Sequence, residues 1–507
     1  MRAPGPLFVA LLALLVLAPT VPAQERPTRS ERRERPERSE TSTPTSEGVL
    51  RLLPADAVSE KEIVVGGKPL PYTATAGTLS LYDQNGERSA AVFYTAYVAK
   101  DGDPARRPVT FVFNGGPGAA SAFLHLGLAG PRIVDFGPEG HDGAAAKLVD
   151  NPNTWLAFTD LVMIDPIGTG WSRPAKPDGG GAFHGVRRDA DSLAKVIALY
   201  VAHNSRSASP KYLLGESYGG FRAAKVARAL QADQGIIVSG IVMVSPLIES
   251  SFLWGSQQFA LGAALTFPTL VASELERTRT FTPEAMAEAE RFAVTDYLTT
   301  LVGPPPTGDR AKTFYDRIAT MTGLPPDVVT TSRGFVRSAY LRHLRAQGMH
   351  VSSYDASFTV PDPFPESESI RVGDPMLDGF PRALSGAFVG YARDELGFKT
   401  DITYILLNGE ISGRWEWGGG RSQPGVSDDL RVLLAFDPSF RLLVVHGRSD
   451  LVTPYGVSRY LIDQLPPIGA PGRTQFKAYR GGHMFYFDAA SRAAFGADAK
   501  AFYQRGP

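Results

Sequence analysis

Gly215-Glu216-Ser217-Tyr218-Gly219 sets a serine between two glycines, after the apolar run Tyr212-Leu213-Leu214 and before the helix-prone run Phe221 to Ala227. That context reads as strand, tight turn, helix. A serine on such a turn is pushed up and out of a sheet, and its flanking glycines answer a lack of room for a Cβ. The chemistry open to it is nucleophilic attack. The competing reading is an N-cap for the following helix, a role serine fills well.

A serine nucleophile needs a base, and the base needs an acid to orient it. Two late loops supply them. Leu442 to Val445 reads as a strand with Ser449-Asp450 beyond its end, and Gln475 to Tyr479 as another with Gly481-Gly482-His483 after it. Ser217, Asp450 and His483 therefore each follow a strand's C-terminal end, the edge where such sheets bind ligands. Serine, acid, histidine is also the chain order of α/β-hydrolase triads. Asp450 could instead be a turn residue, and His446 is a rival histidine, although it precedes the acid. An oxyanion hole requires two backbone N–H donors. One is expected from Tyr218, after the nucleophile. The other is expected from Asn114-Gly115-Gly116-Pro117-Gly118, with Gly116 the first choice and Gly115 the fallback. A phosphate-cradling loop is the weaker reading, because no Lys-Ser/Thr pair follows it.

The elements that must position these groups alternate. Thr73 to Tyr82 and Ala91 to Val98 read as a hairpin around Asn85-Gly86, followed by strands at Val109–Phe113, Leu161–Asp165 and within Ile236–Ser245, and a helix over Asp189–Asn204. This rhythm predicts an α/β fold, a mostly parallel sheet with helices on both faces, and the elbow and the triad order make it resemble the α/β-hydrolase type. It breaks after about Ile248 and returns near Arg441, so the middle reads as an inserted helical cap, with Thr282-Pro283 opening one of its helices. The expected organisation is a leader over 1–23, a disordered linker over 24–47, sheet domain over 48–247, cap over 248–429 and sheet domain again over 430–507.

The 507-residue chain is 43% hydrophobic and 21% charged, ordinary for a globular protein, and large enough for a sizeable core. Lys+Arg and Asp+Glu are both 52, which gives no sign of a nucleic-acid partner. Cys is 0, excluding a cysteine nucleophile and thiolate metal sites, and the 8 His show no metal-ligand spacing. No cofactor or metal is implied. Arg2, the apolar stretch Leu7 to Leu17 and Val21-Pro22-Ala23 read as a secretory leader cleaved near Ala23, so the protein is expected to be exported, periplasmic or secreted, with no membrane partner afterwards. Gln24 to Glu47 is too poor in apolar residues to order itself.

Six segments in order then resemble the serine carboxypeptidase family: Asn114 to Gly118, Asn151-Pro152-Asn153-Thr154-Trp155, Asp165 to Ser172, Gly215 to Gly220, Ser449 to Pro454, and Gly482-His483-Met484. The resemblance covers the sheet domain from about Val109 onward and leaves the cap unmatched. It implies release of C-terminal residues from peptides through an acyl-enzyme. Ser217 would be nucleophile, His483 base, Asp450 its orienter, and Gly116 and Tyr218 the oxyanion donors. Asn114, Gly115 and Glu216 would bind substrate, Asn114 and Glu216 at its terminal carboxylate. Two carboxylates can meet there only if one carries a proton. Three departures stand out. Leu128 occupies the place, shortly before Gly130-Pro131, where family members commonly have a glutamate that shares a proton with the one beside the nucleophile; Arg132 is a nearby substitute. The family's disulfides are absent, including a cysteine at Ala119. The cap, which sets side-chain preference, does not align. An esterase or acyltransferase on the same scaffold is the alternative, and a binding protein on an inactive scaffold the third reading.

Overall fold

The computed structural model describes residues 48–138, 140–253, 258–418 and 424–504. The expected leader and linker lie outside the described residues. The main-sheet strands, with two short hairpin pairs, are β1 (Ala57–Val65), β2 (Lys68–Tyr82), β3 (Arg88–Ala99), β4 (Val109–Phe113), β5 (Arg132–Asp135), β6 (Lys147–Asp150), β7 (Asp160–Ile164), β8 (Arg173–Pro174), β9 (Lys211–Glu216), β10 (Gly240–Val244), β11 (Met349–Val351), β12 (Thr359–Pro361), β13 (Arg441–Gly447) and β14 (Thr474–Tyr479). The main sheet runs β1-β2-β3-β7-β4-β9-β10-β13-β14, with β8 pairing β3. β1, β2 and β3 are antiparallel, as is the β3–β7 junction, and every pair from β7 to β14 is parallel. This is the α/β-hydrolase strand order with an extra hairpin strand at one edge.

The central strands are apolar on both faces because both faces are covered. In β4, Phe111 and Phe113 join the core under helices 186–203 and 218–233, while Val112 joins the opposite core. Leu213 against Tyr212 and Leu214 in β9, and Ile241 and Met243 against Val242 and Val244 in β10, divide the same way. Helix 489–504 closes the second face with Phe495, Phe502 and Tyr503.

Two expectations are refined. The loop at Asn85-Gly86 spans Asp83 to Glu87, longer than a two-residue turn, because Asp83 Oδ1 accepts the N–H groups of Asn85 (2.9 Å) and Glu87 (2.9 Å). The apolar pair Ile236-Ile237 precedes β10 and stays outside it, with Ile237 52% exposed. Thr282 caps helix 283–292 through the Ala285 N–H (3.2 Å), with Pro283 at its first position.

The stretch 248–429 divides by packing. Helices between Ala260 and Ala346 form their own core around Phe267, Phe292, Ile318 and Tyr340, and Leu451 from the loop after β13 enters it. Residues 376–406 pack on the main sheet core through Leu384, Phe388, Tyr391 and Leu406. In addition, Leu407 pairs with Ala119 in the loop after β4. That loop and the turn after β9 are neighbours because β4 lies between β7 and β9. The chain leaves β4 toward one edge and returns past it to β9 and onward to the other, creating a crevice at the carboxyl ends of both strands.

Candidate active site

Ser217 sits in that crevice with φ 59° and ψ −126°, a conformation that costs a non-glycine residue about 1–3 kcal/mol and is typically stored at functional sites. Its neighbours enforce it. The Ser217 N–H donates to Val244 O (2.9 Å), and its carbonyl accepts from Gly220 (2.9 Å) and Leu247 (3.2 Å). A Cβ on Gly215 would lie 2.0 Å from Gly219 O, and one on Gly219 2.6 Å from Phe113 O, so the turn closes only with glycine at both places. The Ser217 side chain makes no capping hydrogen bond to helix 218–233, which removes the N-cap reading.

The acid and the histidine meet. His483 Nδ1 donates to Asp450 Oδ2 at 2.7 Å, both groups buried. Asp450 Oδ1 accepts from the N–H groups of Val452 (2.8 Å) and Thr453 (3.0 Å), and the Thr453 hydroxyl reaches Oδ2 (2.6 Å). With Nδ1 committed, Nε2 is the nitrogen left to accept a proton. Burial disfavours charge on His483, but the Asp450 carboxylate and its hydrogen bond, with Glu216 adding to them, outweigh that and raise its pKa above the usual histidine value. His483 and Ser217 line one cavity of about 300 Å³. No Ser217 Oγ–His483 Nε2 hydrogen bond is formed among the described residues, a looseness common to such pairs before substrate arrives. His446 lies within β13, fully buried, with its pKa lowered to about 3 by burial, so the rival histidine is a neutral core residue stacked on Phe476.

The cavity is also lined by Asn114, Gly115, Gly116 and Glu216. A Cβ on Gly115 would stand 2.6 Å from the amide nitrogens of Tyr218 and Gly219, so the β4 loop lies directly on the start of helix 218–233. The Tyr218 N–H is in the first helical turn, where the helix offers no acceptor. Arg222 holds this junction from behind. It donates to the Asn114 carbonyl, pairs with Asp189 (2.6 Å) and stacks over the Tyr218 ring (4.9 Å).

Glu216 is 3% exposed, and burial first of all raises its pKa to about 7. Asn114 Nδ2 donates to Oε2 and the Tyr486 hydroxyl to Oε1 (2.9 Å). The expectation that Arg132 compensates for Leu128 fails, because Arg132 is engaged by Asp150 (2.5 Å) and Glu395 (3.1 Å). Leu128 is fully buried in the apolar core, and Tyr486 is the extra group Glu216 receives. The other motifs position rather than react. Asn151 Nδ2 ties the carbonyls of Leu128 and Gly130 (both 2.8 Å), and Thr154 that of Ala129 (3.0 Å). Asp165 Oδ1 accepts from the Ser121 N–H (2.8 Å) and hydroxyl (2.7 Å), fixing the start of the helix after the β4 loop.

Several contributing residues escaped the sequence reading. Tyr354 packs edge-on against His483 (5.2 Å, 88°) and accepts its N–H through the backbone (2.6 Å). Ser245 donates to the His483 carbonyl (2.8 Å), and Asp355 accepts from Ser449 (2.7 Å). Thr453 lies within the Ser449 to Pro454 motif, but its hydroxyl's bond to Asp450 had no signal there.

Residues 68–251 match the serine carboxypeptidase family model. Over 159 residues the chain is 28% identical to a carboxypeptidase Y homolog of Arthroderma benhamiae, covering 31% of this chain and 30% of that one. Over 197 residues it is 23% identical to serine carboxypeptidase-like 34 of Arabidopsis thaliana, covering 37% and 36%. The chain thus spans about a third of the length of the curated relatives it matches. Among solved structures, a proline iminopeptidase of Mycobacterium smegmatis aligns over 88% of this chain and 98% of its own, at 13% identity and a TM-score of 0.35, too loose to inform function. In residues 68–251, then, the chain is similar to the serine carboxypeptidase family, by the family model and by these relatives.

Proposed function

We propose that this protein is an exported serine carboxypeptidase that frees C-terminal residues from peptides through an acyl-enzyme on Ser217. His483 Nε2 takes the Ser217 proton as Oγ attacks the scissile carbonyl, and Asp450 holds the imidazole in the tautomer that allows this. The N–H groups of Gly116 and Tyr218 receive the oxyanion. His483 then returns the proton to the departing amine, and water repeats the sequence on the ester. Residues 248–429 act as the insertion that walls the cavity, and export rests on the leader pattern at the N-terminus.

The observation that carries the substrate class is Glu216, buried beside the nucleophile with Asn114 and Tyr486 on its two oxygens. An esterase needs no such group, whereas a near-neutral carboxyl can share a proton with a peptide's terminal carboxylate. An N-blocked dipeptide should be cleaved faster than its amide. Cleavage of an aryl ester without the dipeptide would favour the esterase reading, which the apolar Leu128 supports.

A pH consequence follows. Ester hydrolysis should rise with pH as His483 loses its proton, above the ordinary histidine range. Dipeptide hydrolysis carries an opposing factor, because Glu216 ionises near pH 7 and its charge then repels the substrate carboxylate. The ratio of dipeptide to ester kcat/KM should therefore fall several-fold between about pH 6 and 8 in the wild type and be flat in Glu216→Gln, as read from paired pH profiles.

A further inference from the structure

The cavity has two sides. On one, the β4 loop abuts residues 408–412: a Cβ on Gly118 would stand 2.5 Å from Asn408 O, and the Ser412 hydroxyl donates to Pro117 O. The other is built on the histidine. Tyr354 packs on His483, and the Ser353 N–H donates to Asp374 Oδ2 (2.6 Å). Asp374 Oδ1 caps the turn at Pro375–Asp378 through the Met376 N–H (2.9 Å), and that turn leads into Phe380–Arg382. The segment is anchored by Phe380, buried against Phe136 (4.8 Å) and Phe487 (5.7 Å). From this wall Leu377 and Arg382 line the cavity.

Arg382 is the only permanently cationic side chain among the described residues lining it. Its partner is Asp378, one turn earlier, and the two side chains are 45% and 41% exposed. An exposed pair of this kind holds weakly and is readily exchanged. The guanidinium presents five donors in a fork matched to a carboxylate, and one partner leaves donors free. Because His483 protonates the departing amine, groups mounted on the histidine side face the departing residue.

We infer that Arg382 binds a carboxylate of the departing residue. The inference rests on the carboxypeptidase reading for the identity of that residue and extends it. Asn114 and Glu216 supply hydrogen bonds, but Glu216 is half ionised near neutrality. Arg382 supplies the positive charge that the pair lacks. The carboxylate is either the chain terminus or the side chain of a C-terminal Asp or Glu.

The test measures binding, so it does not depend on turnover. In a Ser217→Ala background, calorimetry compares three N-blocked dipeptides: one ending in leucine, its amide, and one ending in glutamate. Arg382→Gln should raise Kd for a free acid about ten- to a hundredfold relative to the amide, the range expected for a charge-assisted bond. Arg382→Lys should recover part of it. Equal losses on the leucine and glutamate peptides identify the terminal carboxylate, and a loss confined to glutamate identifies the side chain. Binding of both the leucine and the glutamate peptide undiminished in Arg382→Gln relative to the amide overturns the inference. Failure of the wild type to cleave any dipeptide would instead overturn the peptidase reading. Arg382 is half-exposed, so the variant should fold, and an unchanged melting curve checks that.

Discussion

Ser217→Ala is expected to lower kcat on both dipeptide and ester by about 10⁶, the loss seen when a triad nucleophile is removed, while a residue of catalysis over water survives from the oxyanion donors and binding. The size follows from the arrangement. Every route through the acyl-enzyme needs Oγ, and among the described residues the other hydroxyls lining the cavity, on Tyr354 and Ser412, lie outside the strained turn. The fold should be indifferent to the change. Oγ caps nothing, and the bonds that hold the turn come from the Ser217 backbone. Steady-state rates beside a melting curve make the check. A variant that melts normally yet keeps wild-type turnover would remove Ser217 from the mechanism.

Asp450→Asn should cost about 10⁴ in kcat with KM little changed, because the replacement inverts a tautomer without removing a contact. Oδ1 of Asp450 accepts two backbone N–H bonds, from Val452 and Thr453, so an asparagine must keep its carbonyl oxygen there. Its NH₂ then takes the place of Oδ2, facing His483 Nδ1 and the Thr453 hydroxyl. Nδ1 becomes an acceptor, and the ring proton moves to Nε2. A protonated Nε2 cannot take the proton of Ser217. Burial makes this stricter, since Asp450 is fully enclosed and no water can relieve the mismatch. A kcat–KM split in that direction is the expected signature, whereas a KM effect alone would mean that Asp450 only shapes the pocket.

Much of this site was legible because its groups announce themselves locally. The elbow needs glycine at 215 and 219 for steric reasons that any reader of the turn can supply, and the strands before Ser217, Asp450 and His483 are short apolar runs with clear ends. Chain order then sufficed to group residues far apart along the chain. What stayed hidden is what only packing creates. Tyr486 follows His483 by three positions, yet nothing in Met484-Phe485-Tyr486 says that its hydroxyl will meet Glu216. Arg132 stood nearer in sequence and turned out to serve Asp150 and Glu395. Likewise, Tyr354 and Arg382 come from a stretch with no strand rhythm and no motif, and they reach the cavity through an aspartate cap and a buried phenylalanine. Similarly, the stretch 248–429 has no internal marker for its division into a separate helical core and a segment packed on the sheet.

Ser217 is proposed as a nucleophile activated by His483 and Asp450. Covalent labelling reads it most directly: intact mass and peptide mapping after treatment with a fluorophosphonate, a probe that reacts with activated serines. One adduct per chain is expected, on the peptide containing Ser217, forming orders of magnitude more slowly in Asp450→Asn. An enzyme that hydrolyses the ester but takes no adduct on Ser217, or takes it on another residue, would contradict it.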